Sequence, residues 1–348
     1  MRKCGSGEDA AHNARSGVRK QYGSPPQMVK KWLMPILKVA VSVLILYALF
    51  RNVDPRLLWR TFSSVSPWAI ALAAVIYVIA QSLSTWRWAT ILREDVTITY
   101  KDLLSIYFIG MFFNNFLPTI VGGDIVKGYY LYRKTDRAEV AFASIFMDRY
   151  SGFAALMAIT LVALLVGWRV VYSIGGAGLI AVFFLLIGGF TGASLFMWSE
   201  GLHSRLVSVL GKIRLFGFNE KIDRFYGVFM SYRGRRGVLA RVFAFSLIIQ
   251  AGVIAAYFIL GAAMGMDVPA GYFFLFIPLA TSASMIPFSL SGLGIREGVL
   301  VFLFTRAGAS AEAALGMGLM WFFIAAVVST YGAFEYMKAG GRKNSAAC

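Results

Sequence analysis

Histidine, cysteine and acidic side chains are all scarce in this chain. Its 348 residues include two histidines and two cysteines. Cys4 and Cys348 sit near opposite ends, so no disulfide framework is implied. His12 and His203 lie outside the apolar blocks and have no partners in sequence that would make a metal set or a Ser/His/Asp triad. No nucleotide-binding motif is present, and no stretch outside the apolar blocks reaches the roughly 100 residues a separate soluble catalytic domain needs. These absences argue against an enzyme and against a resident cofactor or metal. Asp and Glu total 17 against 34 Lys and Arg, a net charge of +17. In a soluble protein that excess would suggest nucleic acid.

What fills the chain is apolar sequence, 58% of it, in long blocks with only 15% charged residues. This composition marks an all-α polytopic membrane protein. Its basic residues are then read as cytoplasmic anchors facing anionic lipid, with no nucleic acid involved. Residues 1–27 are polar and lack the apolar core of a signal peptide, so a disordered cytoplasmic tail is expected there. Another tail is expected at 338–348. Full spans are expected at about 32–50, 67–92, 138–166, 171–198, 238–264 and 314–337. Residues 199–237 form the longest polar stretch. Leu202, Leu206, Val209 and Ile213, and then Ile222, Phe225 and Phe229, have helical spacing, which predicts two amphipathic helices on the membrane surface.

Two apolar segments are interrupted in the same way. The first reads Asn114-Asn115-Phe116-Leu117-Pro118, then Gly122-Gly123-Asp124-Ile125-Val126-Lys127. The second reads Pro287-Phe288-Ser289-Leu290-Ser291-Gly292-Leu293-Gly294-Ile295-Arg296-Glu297. Counted from the prolines, Gly123 matches Gly292 and Lys127 matches Arg296. If each segment crossed the membrane once, the basic loops 127–137 and 199–241 would lie outside, against the positive-inside bias. If each enters, turns and leaves on one side, most Lys and Arg become cytoplasmic. Only Arg51, Arg56, Arg60, Arg169, Arg296 and Arg306 then lie outside. The expectation is six spans plus two re-entrant hairpins, in inverted repeats at about 67–166 and 236–335, with both termini cytoplasmic.

The returning half of each hairpin begins just after its proline. Its free N–H groups, its glycines and a nearby cation suit an anion. The candidate substrate-binding residues are Asn114, Asn115, Pro118, Gly122, Gly123, Asp124, Lys127, Arg149, Pro287, Gly292, Gly294, Arg296 and Glu297. Structural roles compete for several of them. Arg149 can neutralise Asp124 across helices, Arg296 can pair with Glu297, and the glycines can serve packing alone.

The two broken segments resemble the signatures of the flippase-like membrane family, which includes the transmembrane region of lysylphosphatidylglycerol synthases. The resemblance covers about 30–335. The family's first motif commonly carries Gly-Glu and an Arg where this chain has Gly123-Asp124 and Lys127, which keeps the charge and loses the bidentate fork. The resemblance implies translocation of an anionic or modified phospholipid, or an isoprenoid-phosphate lipid, in a bacterial inner (cytoplasmic) membrane. The family's aminoacyl-transferring soluble domain has no counterpart in this sequence, so aminoacylation is not expected. The expected partners are membrane lipids with phosphate headgroups, with a homo-oligomer left open. The competing readings are a proton-coupled small-anion transporter and a non-transporting accessory subunit of a membrane lipid- or glycosyl-transferase.

Overall fold

A computed structural model describes residues 40–51, 53–117, 122–199, 218–285 and 292–345. These are helical and turn residues with no strand among them. In chain order the helices are α1 (Ala40–Arg51), α2 (Pro55–Ser64), α3 (Pro67–Leu92), α4 (Tyr100–Phe116), α5 (Gly122–Thr135), α6 (Ala138–Met197), α7 (Phe218–Gly234), α8 (Arg236–Ala263), α9 (Ala270–Ser284), α10 (Ile295–Arg306) and α11 (Ala311–Ser345). Among the described residues α3, α6, α8 and α11 are long and apolar enough to cross a membrane.

Helix ends follow local chemistry. Asp54 caps α2 by accepting the Arg56 N–H at 2.8 Å, with Pro55 at the first helical position. The Asp-Pro pair is a helix-start signal within the polar stretch between the spans expected at 32–50 and 67–92. Thr99 caps α4 by accepting the Asp102 N–H.

The 60-residue α6 is not one rod. Gly167 and Gly176 leave helical geometry, and Gly176 has φ of 60°. The chain reverses between them. Tyr150 and Phe190 lie 5.5 Å apart by ring centroid, and the Trp198 indole N–H donates to the Tyr150 hydroxyl at 3.1 Å. Two antiparallel arms result, as the two neighbouring spans expected there require.

Both interrupted segments are tight helical hairpins. In the first, Gly123 packs on the Gly110 carbonyl at the tip, and Lys134 bonds Asp102 at 2.6 Å at the mouth. In the second, Gly292 lies against Ser284 at the tip, and Phe304 packs on Phe273 and Phe276 towards the mouth. A Cβ on Gly123 would sit 1.9 Å from the Gly110 oxygen, so only glycine lets these two backbones approach. Pro118 and Pro287, the expected break residues, lie outside the described residues.

Of the two helices expected within 199–237, the first lies outside the described residues. The second is α7, whose Phe229 and Tyr232 are buried against Ile91, Met147, Val238 and Val242. Arg235 follows it and binds Asp95 through two N–H groups, at 2.8 and 2.9 Å. This helix is docked on the ends of α3, α6 and α8. Its Phe229 and Tyr232 face protein, which helical periodicity cannot distinguish from a face resting on lipid.

Candidate functional site

Described residues of both hairpins line a cavity of about 320 Å³. The first hairpin contributes Tyr107, Met111, Asn114, Asn115 and Lys127, and the second contributes Thr281, Ser284 and Met285. Tyr77 and Gln81 of α3 and Arg149 of α6 complete the lining.

Asp124 organises the charged side of this space. It lies in the first turn of α5, buried beside the break. Arg149 reaches it from α6 with a fork, Nε to Oδ2 and Nη2 to Oδ1, both at 2.9 Å. Such a bidentate pair is the geometry in which a guanidinium and a carboxylate bind best. Behind it, the Gly123 N–H donates to Asn114 Oδ1 at 2.9 Å, which satisfies one of the free donors at the start of α5. Asn115 Nδ2 reaches the Ala325 carbonyl of α11 at 3.3 Å.

Lys127 is held differently. Its ammonium lies 3.6 Å from the centre of the Tyr107 ring and 3.9 Å from Asp124 Oδ1. That ring contact contributes about 2 kcal/mol where water is excluded. The Lys127 side chain is only 5% exposed, yet among the described residues no acceptor lies within hydrogen-bond distance of its ammonium. Arg149 is 47% exposed, towards the cavity. Two cations against one carboxylate leave one positive charge at this wall.

Arg296 and Glu297 do not line the cavity, although the Arg296 charge lies within electrostatic reach of Tyr77 on its wall. Glu297 is fully buried and accepts the Gly294 N–H at 2.7 Å, closing the start of α10 as a cap does. Its other oxygen takes the Arg296 guanidinium, with Nε at 2.9 Å. Gly294, at φ of 91°, packs against Ile45 and the Ser42 carbonyl of α1. Among the expected site residues, Asn114, Asn115, Lys127 and Arg149 therefore line the cavity, and Gly122, Gly123 and Asp124 stand directly behind it. Gly292, Gly294, Arg296 and Glu297 build the second hairpin without lining the cavity. Tyr77, Gln81, Tyr107 and Thr281 were missed. The intramembrane amide of Gln81 was the one readable signal among them.

The Trp86-Arg87-Trp88 run at the end of α3 divides between two faces: Trp86 is exposed, whereas Arg87 and Trp88 turn inwards. Arg87 Nε binds Asp148 at 2.8 Å and its Nη1 donates to Ser246 Oγ at 2.9 Å, while the Trp88 indole donates to Ser144 Oγ. Gly152 leaves room for the Arg87 guanidinium.

The family model of the lysylphosphatidylglycerol synthase TM region matches residues 36–332, which takes in both hairpins and every helix lining the cavity. The chain belongs to that family. Two UPF0104 membrane proteins of Methanothermobacter thermautotrophicus are similar along most of their length. One is 29% identical over 303 residues, covering 80% of this chain and 85% of the relative. The other is 23% identical over 288 residues, covering 78% and 85%. The family is described as a transmembrane region, in keeping with the apolar helices here, and neither relative's name specifies a reaction.

Proposed function

We propose that this chain is a lipid translocase that moves an anionic or modified phospholipid, or an isoprenoid-phosphate lipid, between leaflets. The observation that carries this reading is the Lys127 ammonium, buried at the cavity wall without a hydrogen-bond acceptor among the described residues. A buried ammonium held by a ring face and by a carboxylate 3.9 Å away keeps N–H donors without acceptors, which is costly in a membrane protein, and an anionic ligand would satisfy them. Arg149 supplies a second cation whose Nη1 is not used on Asp124. The headgroup phosphate would sit against these two groups, with its acyl chains in lipid.

The helix lengths favour two re-entrant hairpins. α4 and α5 have 17 and 14 residues, and α9 and α10 have 15 and 12. At 1.5 Å per residue these are about 18–26 Å, short of the roughly 30 Å hydrocarbon core. Breaks at that depth are tolerated where protein or water covers them, and the described arms of both hairpins line one cavity. Six full spans and two inverted repeats complete this reading, with both termini cytoplasmic.

Headgroup accessibility in proteoliposomes tests the assignment. Lys127→Ala and Arg149→Ala should each slow lipid exchange at least about tenfold, the effect of losing one charge-assisted hydrogen bond. Parent-like rates in both variants would remove the site. Competition by free inorganic phosphate would favour a small-anion carrier using the same cavity.

A further inference from the structure

A different face of α3 lines two further spaces, outside the cavity. Trp86, Ala89, Thr90 and Arg93 fall at helical spacing on that face, and with Val96 and Tyr100 they line a groove of about 710 Å³. Val78 and Ser82 continue the face towards the start of α3. With Leu104 and Phe108 of α4 and Val327 and Phe334 of α11 they line a second groove, of about 640 Å³. The Tyr100 hydroxyl, from the wall of the first, donates to the Ser82 carbonyl in the wall of the second at 3.0 Å. The two therefore follow one another along a single seam. From Val78 to Arg93 the helix rises about 22 Å, close to the roughly 20–22 Å that one leaflet occupies with its headgroup layer. Tyr77 and Gln81, which line the cavity, are the sequence neighbours of Val78 and Ser82 and point about 100° away from them.

The chemistry of the seam changes along its length. Its deep end is apolar, and Val78, Val327 and Phe334 are exposed there. Its shallow end carries exposed Trp86, an aromatic of the kind that sits at headgroup level, and the exposed Arg93 guanidinium. Among the described residues Arg93 makes no ion pair. The carboxylates around it are engaged: Arg235 holds Glu94 at 3.0 Å and Asp95 at 2.8 Å, and Lys134 holds Asp102 at 2.6 Å. Arg137 donates to the Asp95 carbonyl at 2.7 Å, so the turn that follows Arg93 is fixed in place. We propose that the seam holds one anionic phospholipid of the leaflet at the first hairpin's mouth, its phosphate on Arg93 and one acyl chain lying between α3, α4 and α11. A guanidinium matches a phosphate in geometry as well as charge, and the deep groove takes the apolar chain that a free phosphate lacks. This lipid is a resident component that clasps three helices, not cargo. The proposal is independent of the translocase reading, which concerns the cavity.

Native mass spectrometry of the purified full chain, incubated with phosphatidylglycerol or with zwitterionic phosphatidylcholine, reads the lipid that stays bound. The parent should retain phosphatidylglycerol in preference to phosphatidylcholine. Arg93→Ala should lower phosphatidylglycerol retention about tenfold, the effect of losing one charge-assisted hydrogen bond. Val78→Trp fills the deep groove from an exposed position and should displace the seam lipid of either kind. Lys127→Ala alters the cavity and should leave the seam lipid in place. A monodisperse elution profile confirms folding of each variant. Equal retention of the two lipids by the parent overturns the proposal, as does unchanged phosphatidylglycerol retention in Arg93→Ala or in Val78→Trp. Loss of all bound lipid in Lys127→Ala would put the lipid in the cavity and also overturn it. So would a lipid-free dimer that Val78→Trp dissociates, because a second copy of the chain would then cover the seam.

Discussion

Two glycines of the same residue type carry opposite consequences in this chain. Gly123 lies so close to the Gly110 carbonyl that an added Cβ would overlap it at 1.9 Å, and Asn114 blocks the other side at 2.6 Å. The obstructing atom at Gly110 is backbone, so relief requires the first hairpin to open. Gly192, on the second arm of α6, has nothing within 4 Å of the corresponding position. Gly123→Ala should therefore abolish recovery of monodisperse protein. Gly192→Ala should fold normally and gain up to about 1 kcal/mol from the better helix propensity of alanine. Size-exclusion elution and thermal unfolding in detergent distinguish the two outcomes. The same closeness explains why the Asn114–Gly123 bond can exist: the side-chain Oδ1 of Asn114 accepts the Gly123 N–H at the α5 N-terminus only because no side chain intervenes.

Three helices are tied together by one buried ion pair. Arg87 on α3 binds Asp148 on α6 and Ser246 on α8, and both charged side chains are less than 10% exposed. Removing one partner leaves the other buried and unpaired, at a cost of about 3–5 kcal/mol, whereas removing both can be nearly neutral. Arg87→Leu and Asp148→Leu should each lower the unfolding temperature sharply. The double variant should recover most of the loss, and simple addition of the two effects would show that the residues do not interact. This pair also marks how far the sequence could be read. The interrupted segments, their glycines and the Arg149–Asp124 pairing were legible, because charge and glycine inside an apolar block are costly and so informative. The partner of Asp148 was not. Asp148 and Arg149 are adjacent in sequence yet face Arg87 and Asp124 respectively. One-residue spacing on a helix turns side chains about 100° apart, and only the packing of α3 and α5 decides which residue meets which. The α3 wall of the cavity stayed hidden for the same reason. Tyr77 and Tyr107 are ordinary aromatics in sequence and acquire meaning only beside Met111 and Lys127.

Across the whole molecule, the two hairpin mouths differ in Lys and Arg content. The first opens beside Arg93, Lys101, Arg133, Lys134 and Arg137, interspersed with Glu94, Asp95, Asp102, Asp136 and Glu139; Lys134 is bonded to Asp102 and the Arg137 guanidinium to the Asp95 carbonyl. The second opens beside Asp267, Arg306 and Glu312, where Glu312 accepts the Asp54 N–H at 3.4 Å and α2 packs alongside α11. The mouth richer in Lys and Arg belongs on the cytoplasmic side, and the other is free to lie outside. The two hairpins would then enter from opposite faces and both reach the cavity. Single cysteines decide this in a background with Cys4 and Cys348 replaced by serine. An impermeant maleimide should label Lys134→Cys only in inside-out vesicles and Arg306→Cys only in intact cells. Labelling of both from one side would place the hairpins in parallel. The cavity would then be reached from a single leaflet, which is incompatible with moving a headgroup between leaflets by alternating access around a fixed site.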